Sequence, residues 1–178
     1  MNTTKRHIPI ILLIVFLTLS AKGQDYVFPV VKGYGGVADL ENAILPKEGG
    51  KIIIDLTSAE ATKSGVSKSM DRIARLINLY GLAGIDQKEL EIVVIIHGAA
   101  TKAVLTDKAY EEKYDAKNPD LAVISALKDH GVKFMVCGQA LVRRGFGVEN
   151  LNPDIELALS AITTLVEFQQ KGYAVLYY

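Results

Sequence analysis

Leu90-Glu91-Ile92-Val93-Val94-Ile95-Ile96-His97 is the stretch that decides the fold. It is apolar almost without interruption, rich in β-branched residues and too short for a buried helix. A strand that alternates apolar and polar residues covers a sheet with one wet face. A continuous run like this one fits a strand covered on both faces, as in a parallel sheet. Two further runs share the pattern, Lys51 to Leu56 (KIIIDL) and Val132 to Cys137 (VKFMVC), and Tyr173 to Tyr177 (YAVLY) makes a fourth strand.

Helical signals separate these runs. Ser69 to Tyr80 places Met70, Ile73, Ile77 and Tyr80 on one face, with Asp71 in the first turn and Gly81 as a stop. Asn118-Pro119-Asp120 opens a helix that reaches about His130 and ends at Gly131. Gly138 to Gly145 reads as a short helix. Asn152-Pro153-Asp154 repeats the opening signal for a helix reaching about Lys171, stopped by Gly172. That last helix carries Ile155, Ala158, Leu159, Ile162, Leu165 and Val166 as a core stripe. Leu157, Ala161 and Phe168 form a second stripe, which predicts another buried surface, favoured as one between subunits. Tyr110 to Tyr114 reads as a polar surface loop. Alternating strands and helices predict a three-layer α/β/α doubly wound fold with a mainly parallel sheet of four to five strands.

Composition agrees with this and narrows the function. The chain has 178 residues, 49% of them hydrophobic and 22% charged, so it is neither disordered nor collagen-like. Its 20 basic residues balance 20 acidic ones, which leaves no positive surplus for a nucleic-acid partner. Lys5 and Arg6, the apolar run Ile8 to Leu19 and the small residues Ala21 and Gly23 form the three-part pattern of a secretory signal over residues 1–23. The apolar run falls short of the roughly 20 residues that span a bilayer, so no stable membrane span is expected after cleavage. Residues 24–178 are then one mildly acidic domain, periplasmic or secreted, since the removed segment carries Lys5, Arg6 and Lys22 but no acid.

Doubly wound sheets form their sites at the carboxyl ends of the strands. The residues there are Asp55 to Ser58, His97-Gly98 and Cys137-Gly138-Gln139. Cys137 is the single cysteine. In an oxidising compartment it is a buried hydrophobe, an interchain partner or a working thiol. A helix beginning at Gly138 would favour its thiolate, and Gly138 would leave the sulfur approachable. If the second and third strands are neighbours, His97 can approach the sulfur and accept its proton; the competing reading is a histidine satisfied by loop backbone. No metal is expected, because Cys137, His97 and His130 lack ligand spacing. Gly33-Tyr34-Gly35-Gly36-Val37-Ala38, with Asp55 beyond it, imitates a dinucleotide fingerprint. Pro29 in the preceding run and the short span after it favour a flexible glycine loop instead.

Val132 to Leu141, followed by Arg143-Arg144-Gly145, resembles the strand–Cys–helix segment of the DsrE/DsrF-like (YchN-like) sulfur-handling family. Ala74 to Tyr80, Val93 to Ala100, Asn118-Pro119-Asp120 and Gln169 to Ala174 resemble its exported bacterial branch. The resemblance implies an α/β/α fold and assembly into trimers or hexamers. It also implies a cysteine, here Cys137, that accepts sulfane sulfur as a persulfide and passes it to a partner protein. His97 and Gln139 match residues typical of the exported branch, and Gly138, Gly98 and Asn78 join them as expected pocket residues. No cofactor is implied. The leading expectation is an exported sulfur-relay or thiol-dependent protein with Cys137 and His97 as its catalytic pair. The alternative is a non-catalytic oligomeric protein that binds a small ligand in the same strand-end pocket.

Overall fold

The computed structural model describes residues 25–178, so the secretory segment expected over 1–23 lies outside the described residues. Seven strands and five α-helices follow one another. They are β1 (Tyr26–Val27), β2 (Val37–Ala38), β3 (Gly50–Leu56), α1 (Lys68–Leu82), β4 (Leu90–Ile96), α2 (Asp107–Tyr114), α3 (Leu121–Asp129), β5 (Lys133–Cys137), α4 (Gly138–Arg143), β6 (Glu156–Ala158), α5 (Ala161–Gln170) and β7 (Ala174–Tyr177). The main sheet has the order β6-β5-β4-β3-β7 and every pairing in it is parallel. β1 and β2 form a separate antiparallel ribbon.

The two-residue period of a strand sorts the sheet's side chains between two layers. Ile52, Ile54 and Leu56 of β3, Ile92, Val94 and Ile96 of β4, and Phe134 and Val136 of β5 face α1 and α3. Met70, Ile73 and Ile77 of α1 pack there with Val123, Ile124 and Leu127 of α3. The intervening residues, Ile53, Val93, Ile95, Met135 and Cys137, face the other way and meet Ala161, Leu165 and Phe168 of α5. This is the expected three-layer arrangement, with one layer much thinner than the other.

Four local expectations are corrected. The helix expected from Pro153 to Lys171 is two elements: the edge strand β6, then α5. Met135 pairs with Glu156 and Cys137 with Ala158, so the sheet captures a segment whose sequence reads equally well as helix. α5 starts instead where the Ser160 hydroxyl accepts the Ile162 N–H. The two expected stripes are mixed in consequence: Ile155, Ala158 and Leu165 of the first and Ala161 and Phe168 of the second are turned inward, while Leu157, Leu159, Ile162 and Val166 are exposed. Residues 107–114 form α2 rather than a loop, because the Thr106 hydroxyl caps the Ala109 N–H and Ala109 and Tyr110 are buried. Gly81 does not stop α1. A side chain on it would reach within 2.3 Å of Val30, so its bareness makes room for the incoming chain.

The glycine-rich segment is the fourth correction, and it is not a flexible loop. Gly35 has φ +61°, and a Cβ there would lie 2.1 Å from the Arg75 backbone nitrogen. The segment therefore lies directly on α1. Asn78, fully buried on that helix, holds it there. Its Oδ1 accepts the Val30 and Val31 N–H groups at 3.0 and 2.8 Å, and its Nδ2 donates to the carbonyls of Val31, Tyr34 and Gly35. Asn78 is thus a structural clamp and not the pocket residue expected from the sequence.

Replacing Asn78 by Leu leaves buried backbone groups without partners, each costing roughly 1–3 kcal/mol. Denaturant unfolding is expected to show a loss of about 2–4 kcal/mol, with the alkylation rate of Cys137 unchanged in the native state. A loss below about 0.5 kcal/mol, the range of ordinary surface substitutions, would contradict the clamp.

Candidate functional site

β3, β4 and β5 finish together because they are parallel and in register: Leu56 is opposite Ile96, and Ile96 is opposite Val136. The chain after β4 is tied at once to the chain after β3. The His97 N–H donates to the Leu56 carbonyl at 3.0 Å, and the Ala100 N–H to the Thr57 carbonyl at 3.0 Å. Between them Gly98 takes φ +59°, a conformation that a side chain disfavours. It turns the chain into the 3-10 helix of residues 98–104 and leaves His97 at the strand end.

Parity then places Asp55, His97 and Cys137 on one face, the one covered mainly by α5. The His97 Nε2–H donates to Asp55 Oδ1 at 2.5 Å. Their side chains are 28% and 14% exposed, so water competes only weakly for either group. A carboxylate that accepts from Nε2 fixes the ring's orientation and, in the neutral imidazole, leaves Nδ1 as the basic nitrogen. His97 is therefore held by a side chain and not by loop backbone.

Cys137 ends β5 and begins α4, which is only six residues long. Its side chain is 5% exposed and closes the strand-end side of the apolar cluster that holds Ile53, Val93, Ile95, Ala158 and Ala161. It is a free thiol. Burial alone would describe an inert core cysteine. The surroundings differ, because Cys137 also lines a cleft of about 470 Å³ together with His97, Gly98, Gln139, Arg143, Arg144 and Ser160. The volume is in the range of small-ligand sites.

Five of the six expected site residues thus lie at this end of the sheet. Gln139 lines the cleft and donates weakly from Nε2 to the Leu159 carbonyl at 3.4 Å. Gly138 is not among the residues that line the cleft. A Cβ there would sit 3.1 Å from the Ala158 carbonyl oxygen, so the glycine lets β6 close against Cys137. Asn78 is elsewhere, on the opposite layer. His130 is not brought in either: its Nδ1 pairs with the side-chain oxygen of Gln87, ahead of the start of β4. Among the described residues, no three His, Cys, Asp or Glu side chains are grouped to hold a metal ion.

Asp55 was expected at the strand ends but with no role beside His97, and Arg143 and Arg144 were not expected as site residues. The signal for Asp55 was present, since it ends a strand two positions after Ile53 on the same face. The strand register was needed to set it beside His97. The arginines lie on a short helix with no periodic pattern long enough to say which way they face.

The model of the DsrE/DsrF-like family matches residues 51–178. Among solved structures, the chain is similar to the YchN protein from E. coli, with 17% identity and a TM-score of 0.52, over 72% of this chain and 99% of that one. It is also similar to MTH1491, a protein of unknown function from Methanobacterium thermoautotrophicum, with 19% identity and a TM-score of 0.51, over 74% and 100% of the two chains. At these identities the likeness is one of fold. No curated protein matches the chain.

If Asp55 orients a basic His97 toward the thiol, His97→Gln slows iodoacetamide alkylation of Cys137 by about 10²-fold near neutral pH. Asp55→Asn then slows it by a smaller factor, because the amide oxygen still accepts from Nε2–H. Equal rates in all three proteins, measured by mass spectrometry of quenched samples, would mean that the pair does not act on the sulfur.

Proposed function

We propose that this chain, which belongs to the DsrE/DsrF-like family, is a sulfur-relay protein that carries sulfane sulfur as a persulfide on Cys137. The observation that carries the reading is the shared cleft: the only thiol of the chain opens into the space lined by a histidine that a carboxylate orients.

The chemistry follows from those groups. His97 accepts the thiol proton, and the Cys137 thiolate attacks the outer sulfur of a donor persulfide, R–S–SH. A new S–S bond forms on Cys137 as the donor's S–S bond breaks. The electron pair leaves on the donor sulfur, which takes a proton and departs as R–SH. The sum is Cys–SH + R–S–SH → Cys–S–SH + R–SH, with no change in total oxidation state. Delivery to an acceptor thiol is the same step with Cys137 on the donor side. Burial at the end of the cluster that includes Ile95, Ala158 and Ala161 shields the persulfide from water and larger reductants between the two steps.

The reading extends to place and assembly. Lys5, Arg6 and the run Ile8 to Leu19 support export to the periplasm or beyond. Leu157, Leu159, Ile162 and Val166, exposed around β6 and the start of α5, support self-association as a trimer or hexamer.

Incubating the protein with a hydropersulfide is expected to add the mass of one sulfur atom at Cys137, removable by a small thiol. Cys137→Ser should show none. Absence of the adduct on the unmodified chain would overturn the carrier, and donor bound by the unmodified chain without reacting would point to a binding protein.

A further inference from the structure

The cleft that holds Cys137 is charged in one sense. Its fully charged lining residues are Arg143 and Arg144, at the end of α4, and both are exposed. No carboxylate lines it. Among the described residues, neither guanidinium lies within ion-pair distance of an acid. The nearby carboxylate of Asp55 is engaged with His97. Lys113 adds a further positive charge beside the rim, donating from Nζ to the Arg144 carbonyl at 2.8 Å. In a chain whose charges balance overall, two unpaired guanidinium groups on one small cleft are a local surplus. Each offers a planar fork of donors that matches an oxyanion. The Ser160 hydroxyl and the Gln139 amide on the same lining are neutral and do not offset that charge.

We propose that the cleft takes as its sulfur donor a small anion in which a sulfane sulfur is bonded to an oxyanion group, the thiosulfate class. The inference rests on the carrier reading of Cys137. The arginines hold the oxygens while the sulfane sulfur meets the thiolate. A Cys137–sulfur bond forms, the sulfur–sulfur bond of the donor breaks, and its electron pair leaves on sulfite. The balance is Cys–S⁻ + S–SO₃²⁻ → Cys–S–S⁻ + SO₃²⁻, so neither oxidant nor reductant is needed. The SO₃ group gains negative charge as it takes the electron pair, and the same guanidinium groups stabilise that charge as sulfite departs.

The test uses the full chain and two donors, thiosulfate and 2-hydroxyethyl hydropersulfide, which carries no oxyanion group. Adduct mass at Cys137 is followed for both, and sulfite release for the first. Thiosulfate is expected to load Cys137 with one sulfite released per adduct. In Arg143→Gln/Arg144→Gln, the ratio of thiosulfate rate to hydropersulfide rate is expected to fall by about 10²-fold, the loss of two charge-assisted contacts. Raising the ionic strength should lower that ratio in the unmodified protein. Loading by the hydropersulfide but not by thiosulfate would overturn this inference and leave the carrier reading standing. An unchanged ratio in the double variant would do the same. Failure of both donors would overturn the carrier reading itself. Calorimetry of thiosulfate on Cys137→Ser checks the anion site without the reaction: binding lost in the arginine variant supports it, and no binding at millimolar concentration counts against it.

Discussion

Everything at the site depends on the alternation of side chains along three parallel strands in register. Successive residues of a strand point to opposite faces, so the parity of a residue decides which layer it joins. Asp55, His97 and Cys137 have the same parity relative to the pairing of β3 with β4 and of β4 with β5. They reach the same side of the sheet although 42 residues separate Asp55 from His97. A one-residue slip of β4 would turn His97 into the other layer and bring Ile96 to the cleft. The buried rows on both faces prevent that slip, because it would also turn Ile92, Val94 and Ile96 away from α1 and α3.

The same alternation explains which parts of the fold were legible in the sequence. KIIIDL, LEIVVIIH and VKFMVC are mostly buried runs whose composition leaves little choice, YAVLY is a half-exposed apolar run at the sheet edge, and each forms a strand. Residues 152–160 were not legible. Their apolar residues fit a helical stripe, and only pairing with Met135–Cys137, a contact across the chain, makes Glu156–Ala158 a strand. At the site, Cys137 and His97 could be named because each ends a recognisable strand. The bond between His97 and Asp55 needed the neighbour relation of β3 and β4. Asn78 was misplaced for a related reason. An asparagine on the buried face of a helix signals only that it must find partners, and those partners are backbone groups more than 40 residues away in the sequence.

The glycine-rich segment shows how little a motif means without its surroundings. Glycines near a pyrophosphate and glycines against a helix backbone answer the same need, close approach without a Cβ. Here the approached surface is α1. Asp71 accepts the Gly35 N–H at 2.8 Å, and Asn78 takes the groups on either side. The Gly35 N–H, a backbone donor at the middle of the imitated motif, is already in use. Asp55, the acid that completed the imitation, is engaged with His97.

Stability and chemistry are therefore divided by face. The layer of α1 and α3 seals one side of the sheet, and the residues beneath it, from Ile54 to Phe134, are almost entirely without water. The other side has chiefly the ten residues of α5, which begin at Ala161, beside the cleft. A single short helix cannot cover both the middle of the sheet and its carboxyl ends. It packs on the middle, through Leu165 and Phe168, and the strand ends stay open. A thiol in such a place is held by a rigid strand, has one open side and keeps hydrocarbon on the others. Covering it with a second helix would bury Cys137 beyond reach, whereas removing α5 would expose Ile53, Val93 and Ile95 along with it. The half-covered face is the arrangement that keeps the sulfur both ordered and accessible.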